Sequence, residues 1–110
     1  MKHPKVSILI ATYNQEAYIK DAIYSALGLN YPNLEVIVSD DSSTDNAFDI
    51  LRDIRDDRVR TYRNKRNIGR ILNHRKLLYE LARGEVVVFL DGDDFYLDKD
   101  FLLEAVELFK

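Results

Sequence analysis

Apolar residues come in short unbroken runs separated by stretches with helical spacing. Val6 to Ala11, Leu34 to Ser39 and Glu85 to Leu90 are rich in β-branched residues and short enough to be strands. Ala17 to Leu27 instead places Ile19, Ala22, Ile23, Ala26 and Leu27 on one stripe, which predicts an amphipathic helix. Gly28 and Pro32 stop that helix and begin a turn. Ser42, Ser43, Thr44 and Asp45 supply N-cap chemistry for a second helix over 46–55. Arg58 to Tyr62 alternates as a shorter, less buried strand. The Asn67-Ile68-Gly69 turn opens a third helix through Ala82, with Ile71, Leu72, Leu78 and Leu81 expected inward and Gly84 expected as its C-cap. Asp98 is expected to cap a last helix, whose Leu102, Ala105, Val106 and Phe109 would be buried.

Strands alternating with helices imply parallel strands joined by crossovers, hence an α/β fold of three layers, α/β/α, with a mostly parallel sheet. The run ending at Leu90 calls for burial on both faces, as in the middle of such a sheet. The unusual polar clusters all follow strands: Thr12-Tyr13-Asn14, Asp40-Asp41-Ser42 and Asp91-Gly92-Asp93-Asp94. The C-terminal ends of strands are where ligands bind in open α/β sheets.

Composition narrows the classes. With 110 residues, 46% hydrophobic and 32% charged, the chain reads as one soluble domain with a modest core. A net charge of −3 argues against nucleic acid as the main partner. The basic residues nevertheless cluster between Arg58 and Lys76, which suits a solvated face and permits a polyanionic ligand. The absence of cysteine removes disulfide and thiol chemistry and suits the cytoplasm. No apolar run approaches the roughly 18 residues of a membrane span.

Asp91 and Asp93, two apart on extended backbone, can point the same way, and Gly92 lets the chain approach a ligand closely. Two carboxylates leave a divalent cation, Mg²⁺ or Mn²⁺, with open positions for diphosphate oxygens. A turn capping the last helix is the plainer alternative. Asp40-Asp41 reads either as a turn with an N-cap or as an acceptor for base N–H or ribose hydroxyl groups. Tyr13 suits stacking on a base or packing on the first helix. Arg70, at a helix start after a glycine, suits a phosphate or base carbonyl. His3 and His74 have no partner at metal spacing and read as structural or solvated.

Taken together, Val6–Asn14 (VSILIATYN), Val38–Asp45 (VSDDSSTD), Asn67-Ile68-Gly69 and Gly84–Asp94 (GEVVVFLDGDD) resemble the family 2 glycosyltransferases with a GT-A fold, whose first half is Rossmann-like. The resemblance implies a nucleotide-diphospho-sugar donor, with a UDP-sugar favoured, and Mn²⁺ or Mg²⁺. It implies nucleotide-sugar binding by Ala11, Thr12, Tyr13, Asn14, Glu16, Asp41, Arg70, Asp91 and Gly92. Within that set, Tyr13 would stack on the base and Asp41 would accept from it. The D-x-D motif would give Asp91 and Asp93 the ribose and metal roles, with Asp93 favoured as the metal ligand and Asp94 as the frequent third acid. Arg70-Ile71-Leu72-Asn73-His74-Arg75 departs from the small-residue helix of the family, so Asn73 receives no role.

Family members carry the acceptor site and the catalytic base in a second half. The expectation is therefore a single truncated donor-binding domain over residues 1–110, of an inverting enzyme whose base lies beyond Lys110 and which is inactive alone. The full-length protein would be cytoplasmic, including peripherally at the membrane. The open sheet edge would offer a homodimer contact. A scaffolding or regulatory domain that keeps the fold without a ligand is the alternative. Phosphoryl-handling α/β proteins fit less well, because they place key acids after the first strand, where this chain has Thr12-Tyr13-Asn14.

Overall fold

The computed structural model describes residues 3–92 together with Leu103 and Val106. In chain order the elements are β1 (Val6–Thr12), α1 (Ile19–Leu27), β2 (Leu34–Asp40), α2 (Ala47–Arg52), β3 (Val59–Arg63), α3 (Arg70–Lys76) running into a π-helical turn (Leu77–Leu81), and β4 (Val86–Asp91). The four strands form one parallel sheet in the order β3-β2-β1-β4. Side chains alternate across it as the pleat requires. Val6, Ile8 and Ile10 of β1 join Val36 and Val38 of β2 in a core closed by Ile19, Ala22, Ile23 and Ala26 of α1 and Leu51 of α2. On the opposite face Leu9 and Ile37 meet Leu77. The three expected layers are present. Of the last helix, Val106 is helical and buried as expected, whereas Asp98, Leu102, Ala105 and Phe109 lie outside the described residues.

Three expectations change. First, β4 is not buried on both faces: it is an edge strand among the described residues, its positions are mostly half-buried, and Phe89 is 45% exposed. Its apolar run serves one face, where Leu90 enters the α1 core with Val86 and Val88 packed beside it. The strand buried at every position is β2.

Second, α3 turns a different face inward. Ile71 is 78% and Leu72 55% exposed, while Asn73 and Leu77 are buried. The phase is set by hydrogen bonds. Asn73 Nδ2 donates to the Ser39 carbonyl at 2.9 Å, and the Ser39 hydroxyl and Asn64 Nδ2 donate to Asn73 Oδ1 at 2.6 and 3.0 Å. An inward asparagine with three good bonds is retained because leaving those groups unpaired would cost more than exposing two aliphatic side chains. The π-helical turn, closed by the Ala82 N–H to the Leu77 carbonyl at 2.9 Å, returns Leu78 and Leu81 to the second core.

Third, Gly84 is no helix cap. The helical run ends at Ala82 in extended backbone, and Gly84 lies against β1. A Cβ there would stand 2.7 Å from the Lys5 carbonyl oxygen and 2.8 Å from the Ser7 nitrogen, both backbone atoms held in place by the sheet. Gly84→Ala should therefore cost about 2–3 kcal/mol, the upper range for forced overpacking. Gly28→Ala, whose Cβ would find its nearest neighbour at 3.4 Å, should be close to neutral. Urea midpoints at constant m-value check the pair, and equal midpoints would refute the close-approach argument.

Candidate functional site

The C-terminal ends of β1, β2 and β4 converge, as a parallel sheet demands, and a cavity of about 400 Å³ opens there. Ala11, Thr12, Tyr13 and Gln15 line it from the β1 end, Asp41 from the β2 end, and Asp91 from β4. Asn67, Gly69, Arg70, Asn73 and His74 close it from the start of α3. The structure thus brings together Ala11, Thr12, Tyr13, Asp41, Arg70 and Asp91 of the expected set. Tyr13 is 46% exposed, so its ring is open to a ligand rather than packed away.

Asp41 is almost fully buried and has a structural task. Its Oδ1 accepts the Ile68 N–H at 2.8 Å and Asn64 Nδ2 at 3.0 Å, and its Oδ2 accepts the Gly69 N–H at 2.9 Å. These bonds hold the Asn67-Ile68-Gly69 turn against β2. Gly69 sits there at φ +91, a conformation that glycine adopts at little cost. The turn in turn aims α3, whose first residue Arg70 reaches Asp91 across the cavity, Nη2 to Oδ2 at 3.6 Å. Asp40 is fully buried and accepts from the Ser43 N–H at 3.0 Å, the turn reading of that acid.

Asn14 and Glu16 stand apart from the cavity lining. Asn14, at φ +54, accepts the Thr44 N–H at 2.8 Å, and Glu16 accepts the Asn46 N–H at 3.3 Å. Both tie the loop after β1 to the loop after β2. Ser42 in that second loop also holds φ +61, a conformation unusual for a serine, between the hydrogen-bonded neighbours Asp41 and Ser43. Gly92 is buried beside Thr12, where a Cβ would press on Gln15 Oε1 and lie 2.8 Å from Thr12 Oγ1. Its smallness makes room for the chain's own Thr12–Gln15 hydrogen bond, 2.7 Å long. Asp93 and Asp94 lie outside the described residues.

His74, read from sequence as structural or solvated, lines the cavity. Its Nδ1 donates to the Arg70 carbonyl at 2.7 Å, since a carbonyl can only accept, and its ring lies 5.3 Å from that of Phe89. The signal was present: His74 is four residues after Arg70 and so shares its helical flank. Gln15 carried no comparable signal, because its place follows from the bend after Asn14.

A divalent ion can be tested against these residues. Asp91 offers a hard oxygen donor whose side chain is 44% exposed, and a cationic group, Arg70, already faces it. Among the described residues no group of three His, Cys, Asp or Glu could hold a metal. The donor chemistry fits Mg²⁺ or Mn²⁺ bound through one or two carboxylates, with phosphate oxygens completing the shell.

Comparison with known proteins agrees with this layout. Glycosyl transferase family 2 matches residues 7–110. The UDP-Glc:alpha-D-GlcNAc-diphosphoundecaprenol beta-1,3-glucosyltransferase WfaP of Escherichia coli is 39% identical over 84% of this chain and 36% of its own length. Among solved structures, the mannosyltransferase PcManGT of Pyrobaculum calidifontis, in complex with GDP-Man and Mn²⁺, superposes with a TM-score of 0.86 at 28% identity, covering 96% of this chain and 32% of its own. S. aureus TarS 1-349 in complex with UDP gives 0.81 at 33% identity, over 94% and 31%. The chain spans about a third of the length of these relatives. With the fold, the acidic strand end and the family match in agreement, the chain belongs to glycosyl transferase family 2.

Proposed function

We propose that this chain is the donor-binding part of a metal-dependent, inverting glycosyltransferase that takes a nucleotide-diphospho-sugar, with a UDP-sugar favoured. The observation that carries the reading is the cavity at the strand ends, with an open tyrosine ring at one wall and the Arg70–Asp91 pair at the other. Tyr13 stacks on the base. Asp41 Oδ2, which accepts one N–H in the structure, keeps a lone pair for a base N–H. Arg70 reaches the diphosphate with its guanidinium. Asp91, with Asp93 beyond it, takes the ribose and the metal. Held by these acids, Mn²⁺ or Mg²⁺ would supply neutralisation of negative charge at the diphosphate. The residues that line the cavity hold and orient the donor, and none of them is assigned to the acceptor or to activation of its hydroxyl. Asn14 and Glu16 support the site by fixing its two loops. The complexes of PcManGT with GDP-Man and Mn²⁺ and of TarS with UDP support the donor class. Among the described residues no helix is long and apolar enough to cross a membrane. A cysteine-free chain is compatible with a reducing compartment, and we place the protein in the cytoplasm.

A thermal-shift panel of nucleotide diphosphates and nucleotide sugars, with and without Mn²⁺, tests the reading. A ligand at about 100 times its Kd adds roughly 2.7 kcal/mol to the folded state. UDP or UDP-sugars should raise Tm with Mn²⁺ and leave it unchanged without. A folded sample that no nucleotide diphosphate stabilises, with metal or without, would end the proposal.

A further inference from the structure

Residues 58–79 carry eight of the sixteen Lys and Arg and none of the nineteen Asp and Glu, although the chain as a whole is acidic. Some of these cations are internally engaged: Arg60 with Glu35, Arg58 with Asp56, Arg63 with Asp40 and Arg70 with Asp91. Lys65, Arg66 and Arg75 are exposed and make no ion pair among the described residues. They also lie close together. Leu72, Arg75 and Lys76 of α3 and Tyr79 of the π-helical turn recur at helical spacing, on the flank away from the cavity-lining Arg70, Asn73 and His74. The Arg75 guanidinium lies 5.5 Å from the centre of the Tyr79 ring, and Lys76 Nζ donates to Asn64 Oδ1 at 2.6 Å, which seats the stripe beside the Asn64-Lys65-Arg66 turn. Within this basic surface Leu72 is 55% and Tyr79 73% exposed.

Unpaired cations around an exposed leucine and an amphipathic aromatic ring match the two parts of a phospholipid surface. The cations meet anionic headgroups, while the leucine and the ring enter the boundary between headgroup and acyl chain. We propose that the helical flank formed by Leu72, Arg75 and Tyr79, with Lys65 and Arg66 beside it, docks on an anionic membrane. A polyanion such as RNA would satisfy the charges and leave Leu72 without a partner. The opposite flank of α3 lines the cavity, so docking would hold the donor cavity one helix diameter, roughly 10 Å, from the membrane surface. Docking of this kind is independent of the identity of the donor.

Co-sedimentation of the protein with vesicles of pure phosphatidylcholine, or of phosphatidylcholine with 30 mol% (about a third) phosphatidylglycerol, tests it. Binding is expected only to the anionic vesicles and should weaken with salt. Arg66→Gln with Arg75→Gln should lower the partition coefficient about twenty-five-fold, roughly fivefold per cation. Leu72→Ser with Tyr79→Ser should also weaken binding while leaving the charge intact. Circular dichroism melts keep loss of fold separate from loss of docking. No binding to anionic vesicles overturns the proposal, as does binding that both double variants retain. A dimer in light scattering that the arginine variant dissolves would assign the flank to a second copy instead. Binding to single-stranded RNA that competes with the vesicles and survives the leucine–tyrosine change would assign it to nucleic acid.

Discussion

Glu35→Ala is expected to destabilise the protein by about 3–5 kcal/mol, the range for removing one partner of a buried ion pair. Glu35 is 5% exposed at the start of β2, far from the cavity. Its carboxylate accepts the Ser7 hydroxyl at 2.5 Å, the Arg83 N–H at 2.9 Å and Arg60 Nη2 at 3.1 Å. These contacts fasten three segments to one side chain: β1, β3 and the connection into β4. Removing it leaves a buried hydroxyl, a backbone N–H and a guanidinium without their anion. Arg60 keeps the Leu81 carbonyl at 2.8 Å, which limits the loss. Glu35→Gln should cost less, because the amide oxygen still accepts.

The same contacts set an acid dependence. Burial by itself would raise the Glu35 carboxyl, but the bonds from Ser7, Arg83 and Arg60 outweigh it and hold the group below its ordinary value near 4.5. A carboxyl with a depressed folded-state pKa contributes stability above its unfolded pKa and loses it as pH falls through the folded value. The wild type should therefore lose stability below about pH 4.5, and Glu35→Gln should lose less over that interval. Urea titrations at pH 7 and at acid pH measure both effects. A Glu35→Ala midpoint that corresponds to less than about 1 kcal/mol of loss would refute the assignment.

Glu35 also shows where sequence pattern stops being informative. Inside an apolar run it could only be read as a strand residue, because its partners lie up to 48 positions away. The same limit explains α3. Periodicity favoured Ile71 and Leu72 as inward residues, since apolar residues are counted as buried. Asn73 took the inward position through bonds to Ser39 and Asn64, on β2 and just after β3. By contrast α1, whose stripe met no competing polar network, was legible to the residue: Ile19, Ala22, Ile23, Ala26 and Leu27 are all buried. In the site, strand ends and acids were legible because the topology of a parallel sheet gathers them. Which acid is free was not. Asp40 and Asp41 are adjacent and chemically identical, yet one caps a serine turn and the other holds the glycine turn before α3.

Among the described residues, Asp91→Asn is the substitution with the largest expected effect on binding. Among the cavity carboxylates Asp91 is the one not already committed to backbone amides: Asp41 holds two N–H groups, whereas Asp91 faces the Arg70 guanidinium at 3.6 Å. An exposed pair of this length contributes about 0–1 kcal/mol, so the variant should fold with nearly wild-type stability. An asparagine keeps the shape of the side chain and removes its charge, the property a divalent cation requires of a hard ligand. Affinity for UDP with Mn²⁺ should fall at least about a hundredfold, since even residues that only support metal ligands are worth roughly 10–100-fold. Binding of Mn²⁺ alone should weaken in parallel. Isothermal calorimetry on the folded variant reads both quantities. An Asp91→Asn variant that bound UDP with Mn²⁺ within about threefold of wild type would show that Asp91 is no ligand, because losing a direct ligand cannot cost less than losing a residue that only supports one. The metal would then have to be held by acids beyond Gly92, and Asp91 would be left as the counter-ion that orients Arg70.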